Sequence, residues 1–341
     1  MWALLVALAI LSCGSPVVTG PSPASSPSGS GPPLASRSVA PSPSVAPSLP
    51  LVGGTWTSGP PVPSPRGEVA AAVLDGWLYV AGGFGLPRGT QSRAFEAFDP
   101  ATSTWAKLAP LPEPRDHAGL TAIGSRLYLT GGNAEGFQPR TNLWIYDPLK
   151  DRWSAGPPMP DRRSAHAAVA VDGRLYLVGG VIPSQTFRAP TWSYNPATGA
   201  WTDSLAAIPT YREHVAAVAV DGTIIVVGGR AATDLAAVER YDPATDMWTS
   251  LPPLPTARGG LTAAVLGNAV HAIGGESIDA PRVFAQHEIL DLATLTWSGG
   301  PPLARGRHGL GSGVIDGRLY VAAGGANPDL AVSDKLDIFT P

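Results

Sequence analysis

The stretch Arg163-Ser-Ala-His-Ala-Ala-Val-Ala-Val-Asp172-Gly173-Arg-Leu-Tyr-Leu-Val178-Gly179-Gly180, followed by Tyr194-Asn195-Pro196 and Trp201, decides the fold, because most of it returns five times. The first glycine of the pair stands at 82, 131, 179, 228 and 274, and in a sixth copy, one residue longer, at 324. Those intervals are 49, 48, 49, 46 and 50 residues. Repetition at this period marks stacked units, each unable to bury its apolar face alone.

Each unit reads as four short strands. Small apolar residues open it, as in Val69 to Leu74 or Val215 to Val220, and then come the turn pairs Asp75-Gly76, Asp172-Gly173, Asp221-Gly222 and Asp316-Gly317. A two-residue Asp-Gly is among the strongest hairpin signals. The second strand ends at the glycine pair, where the missing Cβ permits a sharp bend or a close backbone approach. The third strand ends in Phe98-Asp99-Pro100, Tyr146-Asp147-Pro148, Tyr194-Asn195-Pro196 or Tyr241-Asp242-Pro243, and six residues past each Asp or Asn stands Trp105, Trp153, Trp201 or Trp248. Asp291 to Trp297 keeps that spacing.

Side-chain size orders the strands. Ala, Gly, Val and Thr fill the first strand, as crowding at a central axis requires, and Trp marks the fourth, where there is room at the periphery. In its double glycine, Tyr-Asp-Pro turn and spaced Trp, the segment from 53 to 341 resembles the kelch repeat. That resemblance implies an all-β fold, a six-bladed β-propeller with four antiparallel strands per blade. The sixth unit stops at Pro341 before any Trp, whereas Gly54-Thr55-Trp56-Thr57-Ser58-Gly59-Pro60-Pro61 stands ahead of the first unit like an orphan fourth strand. The expectation is a ring closed by the N-terminal strand around Trp56.

Ahead of the propeller, assigned to residues 51–341, lie two segments of other kinds. The apolar run Trp2 to Leu11 is too short to span a bilayer as a helix but fits the core of a secretory signal. Ile10-Leu11-Ser12-Cys13 resembles a bacterial lipobox, which implies a signal at residues 1–13, lipidation of Cys13, and an exported protein anchored to the outer side of the membrane. Cys13 is the only cysteine, so no intramolecular disulfide forms. Residues 14–50 hold 10 Pro and 11 Ser, a composition that forms no core and reads as a tether.

A formal charge of −3 and the lack of a basic run exclude nucleic acid as partner. The expected partners are a protein, a glycan or a small anionic ligand, bound by a monomer with no cofactor. Variable loops after the glycine pairs collect at one end of the blades, where binding residues concentrate on a rigid scaffold. An arginine recurs at one position of all six units on that end: Arg66, Arg115, Arg163, Arg212, Arg258 and Arg307. Two roles fit it. Guanidinium groups around a channel mouth bind carboxylate or phosphate in bidentate fashion, or else they tie blades together through carboxylates such as Glu96, Glu239, Glu288 and Asp337.

Positions that break the symmetry point to a site, since folding alone does not demand the difference. Two residues after each arginine stand Glu68, His117, Ala165, His214, Gly260 and Gly309, and one residue after it Gly67, Asp116, Ser164, Glu213, Gly259 and His308. Arg230 and Glu276 follow glycine pairs directly. Candidate ligand-binding residues are therefore Arg66, Arg115, Arg163, Arg212, Asp116, Arg230, Glu276 and His308, and candidate acids or bases are Glu68, Glu213, His117 and His214.

Known chemistries can be tested by absence. Copper oxidases sharing this repeat, such as galactose oxidase, use a Tyr cross-linked to a Cys, and the folded segment has no Cys. Neither a local metal-ligand spacing, a Gly-x-Ser-x-Gly elbow nor a P-loop occurs, so no metal is expected. The remaining catalytic option resembles the bacterial kelch mutarotase for sialic acid, a sugar-acid isomerase. A binding scaffold is the leading expectation.

Overall fold

The structure is a computed structural model that describes residues 49–185 and 188–341. The signal, Cys13 and all but the last two residues of the tether lie outside the described residues. Six four-stranded antiparallel sheets make up the fold, and no helix occurs among the described residues.

The first blade runs Ala70–Leu74, Trp77–Ala81, Phe95–Asp99 and Thr104–Lys107 from axis to rim. The second runs Gly119–Ile123, Arg126–Thr130, Leu143–Asp147 and Arg152–Ala155, and the third Ala167–Val171, Arg174–Val178, Pro190–Asn195 and Ala200–Ala207. The fourth uses Ala216–Val220, Thr223–Val227, Val238–Asp242 and Met247–Ser250, and the fifth Thr262–Leu266, Ala269–Ile273, His287–Asp291 and Trp297–Gly299. In the sixth, Gly311–Ile315, Arg318–Ala322 and Leu336–Thr340 are followed outward by Thr55–Ser58, with Trp56 opposite Phe339. Asp75 and Gly76 have φ of 49° and 76°, and Asp172 and Gly173 47° and 71°. A two-residue hairpin that matches strand twist needs both of these left-handed conformations.

First strands touch their neighbours in cyclic order, the sixth against the first. Small residues are required there: a Cβ at Gly311 would lie 2.5 Å from that of Ala71, and one at Gly119 2.6 Å from that of Ala168. Further out, buried aromatic and branched side chains of adjacent sheets interleave, as Tyr79, Phe95 and Tyr146 do between the first two blades.

Two rings of hydrogen bonds run between blades. The second glycine amide of each pair donates to the carbonyl of the next blade's arginine: Gly83 to Arg115 at 2.6 Å, Gly132 to Arg163 at 2.9 Å, Gly180 to Arg212 at 2.9 Å, Gly229 to Arg258 at 2.9 Å and Gly275 to Arg307 at 2.8 Å. At the rim each Trp indole donates to a carbonyl at or just beyond the end of the preceding blade's outer strand, as Trp105 does to Pro60 at 3.0 Å, Trp201 to Pro157 at 3.1 Å, Trp248 to Ala206 at 3.1 Å and Trp56 to Pro301 at 2.7 Å.

The sixth glycine pair is shifted from its expected place. Ala323 and Gly324 take the left-handed conformations, with φ of 58° and 90°, and Gly324 N–H donates to Arg66 O at 2.8 Å. Gly325 instead pairs with His308. The extra residue of the sixth copy vanishes, because an alanine occupies a position that the other blades give to glycine.

Candidate functional site

The recurrent arginines do not face the mouth. All six are buried, at 0–1% exposure. Arg66 Nη2 donates to Glu96 Oε2 at 2.6 Å and Nη1 to Gly82 O at 2.8 Å, and Arg258 binds Glu288 and the Gly274 carbonyl in the same way. Arg212 pairs with Glu239, and Arg307 with Asp337. In the second and third blades Trp144 and Trp192 replace the third-strand carboxylate, so Arg115 and Arg163 stack over indoles at 4.6 and 4.5 Å. Arg115 also bonds Glu113 and Asn142, whereas among the described residues Arg163 bonds only carbonyls, of Gly179 and Pro190, and burial pushes its pKa down to about 9. The expectation that Arg66, Arg115, Arg163 and Arg212 hold a ligand is therefore corrected. Buried among carbonyls, carboxylates and indoles of the blades, the ring belongs to the fold.

The position two residues past each arginine does reach the axis. Glu68, His117, Ala165, His214, Gly260 and Gly309 all have left-handed φ, between 51° and 63°. Their backbones form a belt: the amides of His117, Ala165, His214, Gly260 and Gly309 each donate to the carbonyl of the preceding member, at 2.8 to 3.3 Å, and Val69 N–H donates to Gly309 O at 3.2 Å. Such a φ suits glycine, and a residue with a Cβ is strained there by about 1–2 kcal/mol. Three chemically active side chains nevertheless occupy it, a pattern found where strain serves a site.

Above the belt each residue that follows an arginine pairs with the residue after a glycine pair: Asp116 with Asn133, Ser164 with Val181, Glu213 with Arg230, Gly259 with Glu276 and His308 with Gly325. This pairing, rather than proximity in sequence, assembles a cavity of about 570 Å³, with Glu68, His117 and His214 in it and Glu213, Arg230, Glu276 and His308 around them. Phe137, Pro139, Val181, Pro183 and Leu330 supply apolar wall. Below, a narrower axial channel is lined largely by Val69, Ala118, Val215, Leu261 and Leu310.

Hydrogen bonding fixes the protonation states. His308 Nδ1 faces Glu68 Oε1 at 2.9 Å and its Nε2 faces Asn327 O at 3.0 Å, so both nitrogens donate and the ring is an imidazolium. His117 likewise has Asp116 at Nδ1 and Glu68 Oε2 3.4 Å from Nε2. Burial disfavours both cations, but Glu68 and the second carboxylate beside each outweigh it and raise their pKa values. Burial also acts against ionised Glu68, yet His117 and His308 hold it well below the carboxylate range. His214 is the opposite case: Nδ1–H donates to Glu213 and Nε2 accepts from Arg230 Nη2 at 2.9 Å, so the ring is neutral. Burial, with His117 and Arg230 nearby, keeps it so.

Arg230 is held in turn by Glu213 Oε1 at 2.9 Å and Glu276 Oε1 at 2.6 Å. Asp116 lies beneath the mouth, accepting from Asn133 Nδ2 at 3.0 Å, and orients His117 rather than meeting a ligand. Sequence reasoning overlooked Asn133, Phe137 and Leu330. Aligning the residue after each glycine pair (Phe84, Asn133, Val181, Arg230, Glu276 and Ala326) would have found the first.

Four-stranded blades around an axis define the class: a six-bladed β-propeller with a polar cavity at its mouth. Two family models then match the sequence, the Kelch motif at residues 65–112 and the KLHDC2/KLHL20/DRC7 Kelch-repeats domain at residues 111–275. The chain is a kelch-repeat β-propeller. A solved structure titled "Structure of YjhT" shares the fold with a TM-score of 0.69 at 19% identity, over 81% of this chain and 95% of that one. Among curated proteins none matches.

Proposed function

We propose that this protein is an exported, Cys13-anchored binding protein that takes a neutral sugar, free or as part of a glycan, in the mouth cavity. One observation carries the reading: polar groups converge on the floor of a cavity of about 570 Å³ whose wall is partly apolar. Hydroxyl edges and C–H faces of a sugar ring match that division, and the volume lies in the range of small-molecule sites. Charge argues against an anion. The cavity lining includes Glu68, Glu213, Glu276 and Asp329, while its cations are already engaged, Arg230 by Glu213 and Glu276, and the His117 and His308 rings by Glu68. The experiment is saturation-transfer NMR with neutral sugars and sugar acids on EDTA-treated protein. Neutral sugars should give contacts that Glu276→Gln weakens about tenfold, the equivalent of one charged hydrogen bond; binding confined to sugar acids sinks the reading.

A second reading is favoured by the ion pair of Glu68 with His117 and His308, a base and two acids at the floor. Acid–base isomerisation of a sugar at its anomeric carbon needs such a pair. Polarimetry of freshly dissolved aldoses would show acceleration by the protein, lost in Glu68→Gln.

A further inference from the structure

We propose that Glu68, His117 and His214 form a binding site for one divalent transition-metal cation, of the zinc class, on the propeller axis. Each offers a ligand atom, and these atoms all lie within 4.8 Å of one another. Two imidazoles and one carboxylate are the donor set of zinc and related borderline cations, whereas calcium and magnesium take oxygen ligands.

The arrangement around these side chains is what separates them from a chance cluster. Each histidine turns Nδ1 to a carboxylate of the residue just before it, His117 to Asp116 and His214 to Glu213. Asp116 is held by Asn133 Nδ2 and Gln91, and Glu213 by Arg230 Nε at 2.9 Å. Both imidazoles are thereby oriented with Nε2 toward the axis, the carboxylate–histidine arrangement that directs a ring nitrogen at a metal. Their rings come within 4.6 Å, centroid to centroid, from the second and fourth blades. A neighbouring set that shares Glu68, with Glu276 and His308, meets the same distance criterion. It offers one imidazole with two carboxylates, a harder donor set than two imidazoles with one, so the first set is the one a zinc-class cation favours.

All three ligands sit on the left-handed belt, where the fifth and sixth blades carry glycine. A Cβ at Gly309 would come within 2.6 Å of the Glu68 carboxyl, so the bare half of the belt leaves room for that side chain. Binding requires His117 to give up its Nε2 proton and Arg230 Nη2 to release His214 Nε2, which it contacts at 2.9 Å, while Nε and Nη1 keep Glu213 and Glu276. Open positions on the cation would face the cavity above.

This inference is independent of the sugar reading, which is tested on EDTA-treated protein, so either can fail alone. Tag-free protein, stripped with EDTA and re-equilibrated with zinc chloride, is gel-filtered and its metal content measured, with affinity from calorimetry. One equivalent is expected in the wild type. His117→Gly/His214→Gly should bind at least about 100-fold more weakly while keeping its melting curve, because glycine is at ease in this conformation. Asp116→Asn, which touches no metal, should weaken binding about 10- to 100-fold by releasing the His117 ring. His117→Gln/His214→Gln serves if the glycine variant does not fold. Wild-type protein that retains neither zinc nor cobalt, or unchanged affinity in the double variants, overturns the proposal.

Discussion

Gly324 N–H donates to Arg66 O at 2.8 Å, joining the last blade to the first with the same bond that joins every other pair. The first and last strands of the propeller meet in the same blade, where Thr55–Ser58 pairs with Leu336–Thr340. Trp56 there contacts Phe339 and His287 and donates to Pro301 O. Deleting residues 51–62 removes an outer strand, its indole and Val62 of the buried core. The expected outcome is a large fall in melting temperature with loss of a single cooperative transition, read by calorimetry. An unchanged transition would mean that the inner strands alone close the ring.

The arginine ring separates by blade. Arg258→Met leaves the Glu288 carboxylate buried without its partner and should cost about 3–5 kcal/mol, most of it regained in Arg258→Met/Glu288→Met. Among the described residues Arg163 has no carboxylate to strand and its Nη1 has no hydrogen-bond partner, so Arg163→Met should cost less than half as much. Urea denaturation of the three variants decides it. Equal losses at both arginines would mean that the carbonyl bonds, shared by both, carry the energy.

The repeat, the hairpins and the outer Trp were legible because each is written within one unit: Asp75-Gly76 needs only its own backbone, and Trp105 keeps a fixed spacing from Asp99 although its indole bonds Pro60 O beside the neighbouring blade. The arginines were ambiguous because burial decides their role, and burial is a property of the closed ring. Ala323 escaped because its left-handed φ is imposed by the Arg66 carbonyl, far away in sequence. The candidate acids and bases were found through broken symmetry, yet their meeting was not, since Glu68, His117 and His214 come from three blades and no spacing within one unit encodes it.

Acid should loosen the junction between the fifth blade and the closing one. His287 Nδ1–H donates to Pro301 O at 3.2 Å, so its Nε2 accepts from His271 Nδ1–H at 2.7 Å and both rings are neutral. Burial holds His271 down to about 4 and His287 to about 3. The unfolded chain takes up these protons near pH 6.5 and the folded one does not, so stability falls as pH drops below that value. The slope is about 1.4 kcal/mol per pH unit for each histidine until its folded pKa is reached. Urea melts at pH 7 and pH 5 should diverge less in His287→Phe, whose Pro301 carbonyl keeps the Trp56 indole. Equal divergence in both proteins assigns the acid sensitivity elsewhere.

Attachment is tested apart from folding. Cys13→Ala should move the protein from the membrane fraction to the soluble one while the melting curve of the propeller stays put, because the described core begins beyond the tether. Retention after a high-salt wash would remove the lipid anchor from the proposal.

The belt makes the sharpest test of strain. Ala165 has φ of 52° and brings no polar group to the mouth, so Ala165→Gly relieves a left-handed Cβ at no chemical loss. Against this stands the greater backbone freedom of glycine in the unfolded chain, about 0.5–1 kcal/mol. The strain of about 1–2 kcal/mol is the larger, and the substitution should raise stability by up to about 1 kcal/mol. His214→Gly relieves the same strain but removes the neutral ring that accepts from Arg230 and donates to Glu213. If His214 is retained for a ligand, that variant keeps wild-type stability or better and loses binding at the mouth. If it is retained for the fold, it unfolds earlier than wild type although Ala165→Gly unfolds later, and the mouth histidines are then structural.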